Sequence, residues 1–315
     1  MGLFLARRLL TFIATLLASS LTVFVVLEIL PGDPALTIMG PDAHPEAVRA
    51  LRTELGLDRP APERYLSWIG GLMIGDMGQS YTYKVPVGEL IAERLTLTVP
   101  LALISMTLTI VIAISLGLYA ASAHGRAGDW GVMAFTQLGI AVPSFWFGIL
   151  LILLFAVELR WLPAGGFPGW DAGLLPVARA LALPALALAL VQAAILARVT
   201  RSAVLEVMRE DFVRTARAKG LTRRAALWRH VLRNALIPVV TVMGLQFANL
   251  LAGTIIIESV FSLPGLGRLV FQAISQRDLV VVKNMVVLLA ALVVTVNFLV
   301  DLAYAAIDPR IRLTG

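Results

Sequence analysis

Nucleophiles, general bases, metal ligands and phosphate cradles are the usual sources of chemistry, and this 315-residue chain is nearly bare of all four. It contains no cysteine, which excludes disulfides, thiolate metal sites and cysteine nucleophiles. Its three lysines, Lys84, Lys219 and Lys283, each follow a residue other than glycine, so the sequence has no Walker-type phosphate loop and no ATPase of its own. The histidines, His44, His124 and His230, are scattered; neither a His-Glu-x-x-His pair nor a Gly-x-Ser-x-Gly elbow is present. No resident metal or cofactor is expected. What remains inside the apolar stretches is polar but uncharged: Ser144, Gln192, Gln246 and Asn249 are the candidates for a translocation path. Gln246 and Asn249, three apart, fall on one side of a helix, and both lining a path and joining helices by hydrogen bonds stay open for them. Glu28 and Asp301 lie near the ends of apolar runs and read as helix-end or packing residues, not as proton relays. The inventory describes a conduit without an engine.

The elements that position these groups follow from composition. Hydrophobic residues make up 59% and charged residues 15% of the chain, and mean hydropathy is +0.87. A water-soluble globule cannot hide that much apolar surface, and a disordered chain would not carry it. Charge-free runs at Leu9–Leu27, Leu95–Ala123, Trp130–Val157, Ala180–Ala197, Asn234–Ile257 and Asn284–Val300 are each close to or beyond what a bilayer-spanning helix needs. The expected fold class is therefore all-α, a polytopic membrane protein with six transmembrane helices. The first run is longer than a secretory signal core and is read as an uncleaved span.

With an even number of spans, both termini share a side. Placing them in the cytoplasm makes 1–8, 122–130, 198–235 and 308–315 internal, with 15 basic and 5 acidic residues in 63 positions. The external segments 31–94, 158–179 and 258–283 then hold 11 basic and 13 acidic residues in 112 positions. This is the positive-inside asymmetry, and it accounts for the net charge of +6 without nucleic acid. The chain divides on this reading into an N-terminal tail and first span (1–30), an external loop with short helices (31–94), a core of five spans (95–307) and a cytoplasmic tail (308–315).

Three connecting segments carry more pattern than a plain loop needs. In 31–94, Pro45 opens a short helix that Gly56 caps, and Tyr65, Leu66, Trp68, Ile69, Leu72 and Met73 make a second, more apolar one; a small cap and a contact surface for a soluble partner are both open. In 198–235, Val204, Met208 and Phe212 form one apolar stripe and Leu227, Val231 and Leu232 another, with Gly220 as the turn between two amphipathic helices. Its ten basic residues alone could hold topology or touch anionic lipid, but two amphipathic helices with a glycine hinge exceed what topology needs, and the segment is read as a protein-docking module. In 258–283, Pro264-Gly265 breaks the helix, and Glu258, Phe261, Pro264 and Gly265 are read as part of an outer lid, with an ordinary loop as the alternative.

These residues carry a resemblance. Asp211-Phe212-Val213-Arg214-Thr215-Ala216-Arg217-Ala218-Lys219-Gly220-Leu221 resembles the cytoplasmic coupling loop of ATP-binding-cassette importer permeases, in the form found in the dipeptide/oligopeptide/nickel branch. The wider family reads Glu-Ala-Ala-x-x-x-Gly there; here Arg214, Thr215 and Ala216 stand in the first three places, as in the peptide branch's own variant. Pro31-Gly32-Asp33-Pro34-Ala35, Gly75-Asp76-Met77-Gly78-Gln79-Ser80, Pro143-Ser144-Phe145-Trp146, Trp161-Leu162-Pro163, Pro264-Gly265-Leu266-Gly267-Arg268 and Asp308-Pro309-Arg310-Ile311-Arg312 agree in order along nearly the whole chain. The resemblance implies a type I-like importer transmembrane domain in a bacterial or archaeal cytoplasmic membrane. The coupling contact would lie on Asp211, Arg214, Ala216, Arg217, Lys219, Gly220 and Leu221. It also implies a sister permease, two cytoplasmic ATPases that bind ATP and Mg, an extracytoplasmic substrate-binding protein, and surrounding lipid. Peptide is the implied cargo, with nickel, glutathione or haem as same-branch alternatives; a stand-alone channel or secondary transporter is the rival of another class.

Overall fold

The computed structural model describes residues 2–29, 34–40 and 42–307; Pro31-Gly32-Asp33 and the tail from Asp308 lie outside the described residues, as does the side chain of Asp301. The helices are α1 Gly2–Ile29, α2 Pro34–Met39, α3 Pro45–Glu54, α4 Ala61–Met73, α5 Val87–Ser122, α6 Ala127–Ala141, α7 Ser144–Leu151, α8 Leu174–Val207, α9 Asp211–Ala218, α10 Arg223–Ala226, α11 Leu232–Val260, α12 Leu266–Ser275 and α13 Leu279–Ile307. Wider π-turns continue α7 through Ile152–Glu158 and join α10 to α11 through Leu227–Val231. Among the described residues the one extended pairing is an isolated antiparallel bridge between Gln79 and Pro86.

Among the described residues, five helical stretches are long and apolar enough to cross a membrane: Ala6–Ile29, Val87–Ser122, Leu174–Val207, Arg223–Val260 and Leu279–Val300. One further apolar stretch is a bent pair of helices, which makes a sixth span if the pair crosses as one. The sequence suggested a single helix over Trp130–Val157, but Ala127–Ala141 and Ser144–Glu158 meet at 105°. Val142 takes an extended conformation (φ −103°, ψ 126°) because the ring of Pro143 crowds the α region of the residue before it. Pro100, Pro184 and Pro238 sit inside helices that continue through them.

The described chain forms two compact units. One comprises Met1–Thr98 with Pro264–Thr295, the other Val99–Leu263 with Val296–Gly315. In the first, Val87, Ile91, Leu266, Leu269, Ala273, Val281 and Met285 form the core, with α12 buried along one face. Asp278 organises its polar side. Its carboxylate caps α13 by accepting from the Val281 N–H at 3.2 Å, and it also accepts from Ser80 Oγ at 2.6 Å and the Thr82 N–H at 3.0 Å. Burial, together with the nearby Asp278 carboxylate, pushes the Tyr81 phenol above its ordinary pKa against the opposing pull of Arg64. Pro45 does stand at the start of α3, and Gly56 (φ +65°) ends it with the Leu57 N–H donating to the Arg52 carbonyl at 2.9 Å. Trp68 on α4 turns inward: it is buried and donates to Asn284 at 2.9 Å, leaving Leu66 and Met73 on the exposed face.

The second unit is organised around α8, the one span most of whose apolar length, 72%, is buried. With little apolar surplus to gain between helices in lipid, close packing needs small residues at the contact. α8 supplies Ala185, Ala189, Ala193, Ala194 and Ala197, all fully buried. Its neighbours answer with glycines. A Cβ on Gly117 of α5 would lie 2.6 Å from Thr200 Cβ, and one on Gly139 of α6 would lie 2.6 Å from Ala194 Cβ. Both positions admit only hydrogen. The Gly139→Ala change is therefore expected to lower the thermal unfolding temperature, through an overpacking cost of about 1–3 kcal/mol. Moving the methyl across the contact, as Gly139→Ala with Ala194→Gly, is expected to restore most of the loss. Unfolding followed by size-exclusion fluorescence after heating checks both, and equal stability of the single variant and the parent would contradict the contact.

Candidate functional site

α8 ends at Val207, and after the short break Met208–Glu210 the chain re-enters helix as α9. Asp211 in its first turn and Arg217 in its last are placed as the helix dipole favours. α9 buries Val213 among Val204, Ala226 and Val231, which anchors its inner face. Its end is a Schellman turn: the Leu221 N–H donates to the Ala216 carbonyl at 3.3 Å and the Gly220 N–H to the Arg217 carbonyl at 3.0 Å. This geometry puts Gly220 at φ +93°, a region that costs an L side chain about 1–3 kcal/mol. Thr222 then starts α10, its hydroxyl accepting from the Ala225 N–H at 3.2 Å. Two hydrogen-bonded devices back to back leave no slack between α9 and α10.

The outer face is polar and basic. Asp211, Arg214, Arg217, Lys219 and Gly220 are exposed, Ala216 and Leu221 half-buried. The Asp211–Arg214 pair, 3.3 Å apart and with both side chains mostly in solvent, contributes little stability. Phe212 and Trp228 are large apolar side chains exposed at 44% and 55%. Trp228, Arg223, Arg224, Leu227 and Met208 line, with Leu118 and Tyr119 of α5, a cavity of about 580 Å³. Two sequence expectations are corrected. Val204, Met208 and Phe212 are not one stripe: the helix stops between them, and Val213 takes the inward place assigned to Phe212. Leu227, Val231 and Leu232 do not form a separate amphipathic helix; they lie in one helical run, Arg223–Val260, continuous with the fifth span.

The other predicted residues are dispersed. Ser144 begins α7, Gln192 lies mid-α8, and Gln246 and Asn249 lie on α11. Among the described residues no hydrogen bond joins any two of the four. Gln246 is buried with its Oε1 lacking a partner, whereas Asn249 is exposed, so the two do not share one environment. Glu258 and Phe261, read as part of a lid, are fully buried at the end of α11. Phe261 fills the space over Gly148, where a Cβ would come within 3.1 Å of its ring, and its carbonyl accepts from the Gly166 N–H at 2.8 Å. Pro264 and Gly265 belong to the other unit, where Gly265 (φ −106°, ψ −175°) precedes α12 and the Leu266 N–H donates to Thr98 Oγ1 at 2.9 Å.

One cluster escaped sequence reasoning. Asp129, in the first turn of α6, is buried and accepts a bidentate pair from Arg201 of α8, Nε at 2.6 Å and Nη2 at 2.7 Å. The Gly125 N–H donates to the same carboxylate at 3.0 Å, and His124 Nδ1 lies 3.1 Å from it. The cluster fixes the end of α8 ten residues before α9 begins. Asp129 and Arg201 are 72 positions apart, and the only trace in the sequence is a lone acid in a short connecting segment whose one basic residue is Arg126.

Residues 113–313 match the family model described as the inner membrane component of binding-protein-dependent transport systems, and residues 1–102 match the N-terminal membrane component model of the same systems. The chain is 44% identical over 306 residues to a chain of Brucella abortus named as a peptide transport system permease, covering 97% of this chain and 98% of that one. It is 40% identical to the di/tripeptide transport system permease protein DppB of Pseudomonas aeruginosa and to the glutathione transport system permease protein GsiC of Salmonella choleraesuis, each covering 98% of both chains. Among solved structures, the inward-facing MetNI methionine ABC transporter shares the fold: TM-score 0.58 at 19% identity, over 70% of this chain and 96% of that one.

The Asp129–Arg201 pair is nearly closed to solvent, with side chains 6% and 18% exposed. Asp129→Leu leaves the guanidinium without its acceptor and is expected to destabilise by about 1–3 kcal/mol, between the values for exposed and buried pairs. The double change Asp129→Leu with Arg201→Met removes both charges and is expected to recover most of that loss. A double-mutant cycle on thermal unfolding checks the pair; strictly additive losses would show that it carries no coupling.

Proposed function

We propose that the chain, which belongs to the family of binding-protein-dependent transport inner-membrane components, is one of two non-identical permease subunits of an ATP-binding-cassette importer for di- and oligopeptides. The sister permease, two cytoplasmic ATPases holding ATP and Mg, and an extracytoplasmic binding protein complete the machine. Both termini and 198–235 face the cytoplasm, as the charge asymmetry along the sequence supports. The relatives named for peptide and glutathione transport support a peptide cargo, glutathione being itself a small peptide.

The single observation that carries the reading is the α9–Gly220–α10 knuckle. It is exposed on one side, anchored by Val213 on the other, and sits on a chain whose sequence has no phosphate loop. Such a part transmits work that is generated elsewhere. When the ATPases close on ATP they move α9; α9 moves α8, which precedes it in the chain, and α11, which it reaches through α10, and the helices switch between outward- and inward-facing arrangements. The basic face and the exposed Phe212 and Trp228 suit an acidic groove with an apolar floor on the ATPase.

Proteoliposomes test this. Labelled dipeptide should accumulate only when sister permease, ATPases, ATP-Mg and binding protein are all present; flux through the chain alone would replace the importer with a stand-alone channel or carrier. Gly220→Val, which forces a β-branched residue into the left-handed region, should abolish uptake and substrate-stimulated ATP hydrolysis while the chain still inserts. Gly220→Asn, which tolerates that region, should retain a substantial part of both. Normal transport by the valine variant would show that the turn's shape is not what couples.

A further inference from the structure

The first unit contains a second concentration of charge that transport coupling does not use. A cavity of about 510 Å³ is lined by, among others, Phe24 of α1, Arg64 and Trp68 of α4, Tyr81, Lys84 and Lys283 of α13. Its neutral polar groups are matched to one another: Trp68 donates to Asn284, Asn284 donates to the Met77 carbonyl at 2.7 Å, and Ser80 donates to Asp278. Of the acids on its wall, Asp76 accepts from the Gly78 N–H at 2.9 Å and Glu54 is turned to solvent. The cations are matched only in part. Lys283 Nζ stands 5.2 Å from the centroid of the Trp68 ring, and among the described residues no carboxylate pairs with it. Arg64 gives one nitrogen to Glu28, while its Nε is buried without an acceptor. Lys283, with no carboxylate partner among the described residues, and Arg64, whose guanidinium is engaged on one side by Glu28, therefore line one cavity.

We infer that this cavity holds the phosphate of a membrane phospholipid between Lys283 and Arg64. A guanidinium fork and an ammonium together suit a tetrahedral oxyanion, which can accept from both at once. The depth selects the lipid. Phe24 lies five residues before the end of α1 and Lys283 four residues into α13. At 1.5 Å per residue both are about 6–8 Å from a helix end, the level where aromatic and cationic side chains meet lipid headgroups. The wall there is aromatic: the Phe24 ring is 5.4 Å from Tyr65 and 6.2 Å from Trp68, centroid to centroid. α1 itself is 6% buried along its apolar window, so acyl chains have a surface to lie against directly beside the site. The inference needs α1 and α13 to span the bilayer and is independent of which solute the complex carries.

Native mass spectrometry of the assembled importer, washed in mild detergent, tests it. The parent complex should keep one phospholipid adduct per copy of this chain under activation that strips bulk lipid. Lys283→Gln should weaken its retention about tenfold, the worth of one charge-assisted contact, and Lys283→Arg should keep it. A parent complex without the adduct, or equal retention in Lys283→Gln, overturns the assignment, and the parent measurement alone decides if the glutamine variant fails to assemble. Displacement of the adduct by inorganic phosphate or by free dipeptide at millimolar concentration would make this a site for soluble anions instead, and overturns the lipid. Uptake assays on the same preparations report on cargo separately.

Discussion

Everything in the second unit depends on how closely its helices approach α8. Hydrophobic sorting cannot press helices together where the solvent is itself hydrocarbon, so contact must come from shape. Alanines along α8 and glycines on α5 and α6 remove the side chains that would hold the backbones apart. Once α8 is fixed, so is the point where α9 leaves it. The Asp129–Arg201 pair clamps that same end from the side of α6. The rigidity matters for transport because a displacement applied to α9 reaches α8 with little loss only if nothing between them can yield.

The knuckle shows the same economy at a smaller scale. α9 is only eight residues long and would not be stable as an isolated helix. It persists because Val213 is buried, because its terminal charges match its dipole, and because Gly220 lets the last carbonyls be satisfied within the turn. Docking chemistry is thereby left to an exposed surface while shape is held by the inner one. On the proposed reading the partner supplies the energy and this chain supplies the lever.

Much of this was legible in the sequence, and the exceptions share a cause. Charge-free runs mark spans because a membrane interior penalises charge, and Gly56 and Gly220 announce helix ends because few other residues accept a left-handed backbone. Pro143 could not be told from Pro100, Pro184 or Pro238, since all four are prolines in apolar surroundings and only Val142's extended backbone separates the break from the tolerated cases. The stripe through Phe212 failed because a period of 3.6 holds only while the helix continues, and it stops at Met208. Asp129 with Arg201 and Trp68 with Asn284 are pairings across 72 and 216 positions, and no local pattern encodes them. For the candidate path residues the sequence offers no such signal, because a polar side chain in a span looks the same whether it faces a cavity or a neighbour.

The central claim is that work enters this chain through the α9–Gly220–α10 surface. The absence of cysteine makes it directly testable by single-cysteine photo-cross-linking in the assembled complex. A probe at Phe212, exposed on the docking face, should cross-link to an ATPase subunit, and the adduct should change with ATP binding. A probe at Leu174, 91% exposed at the far end of α8, should give no ATPase adduct. Cross-links to the ATPase from Leu174 and none from Phe212 would contradict both the docking surface and the orientation on which the account depends.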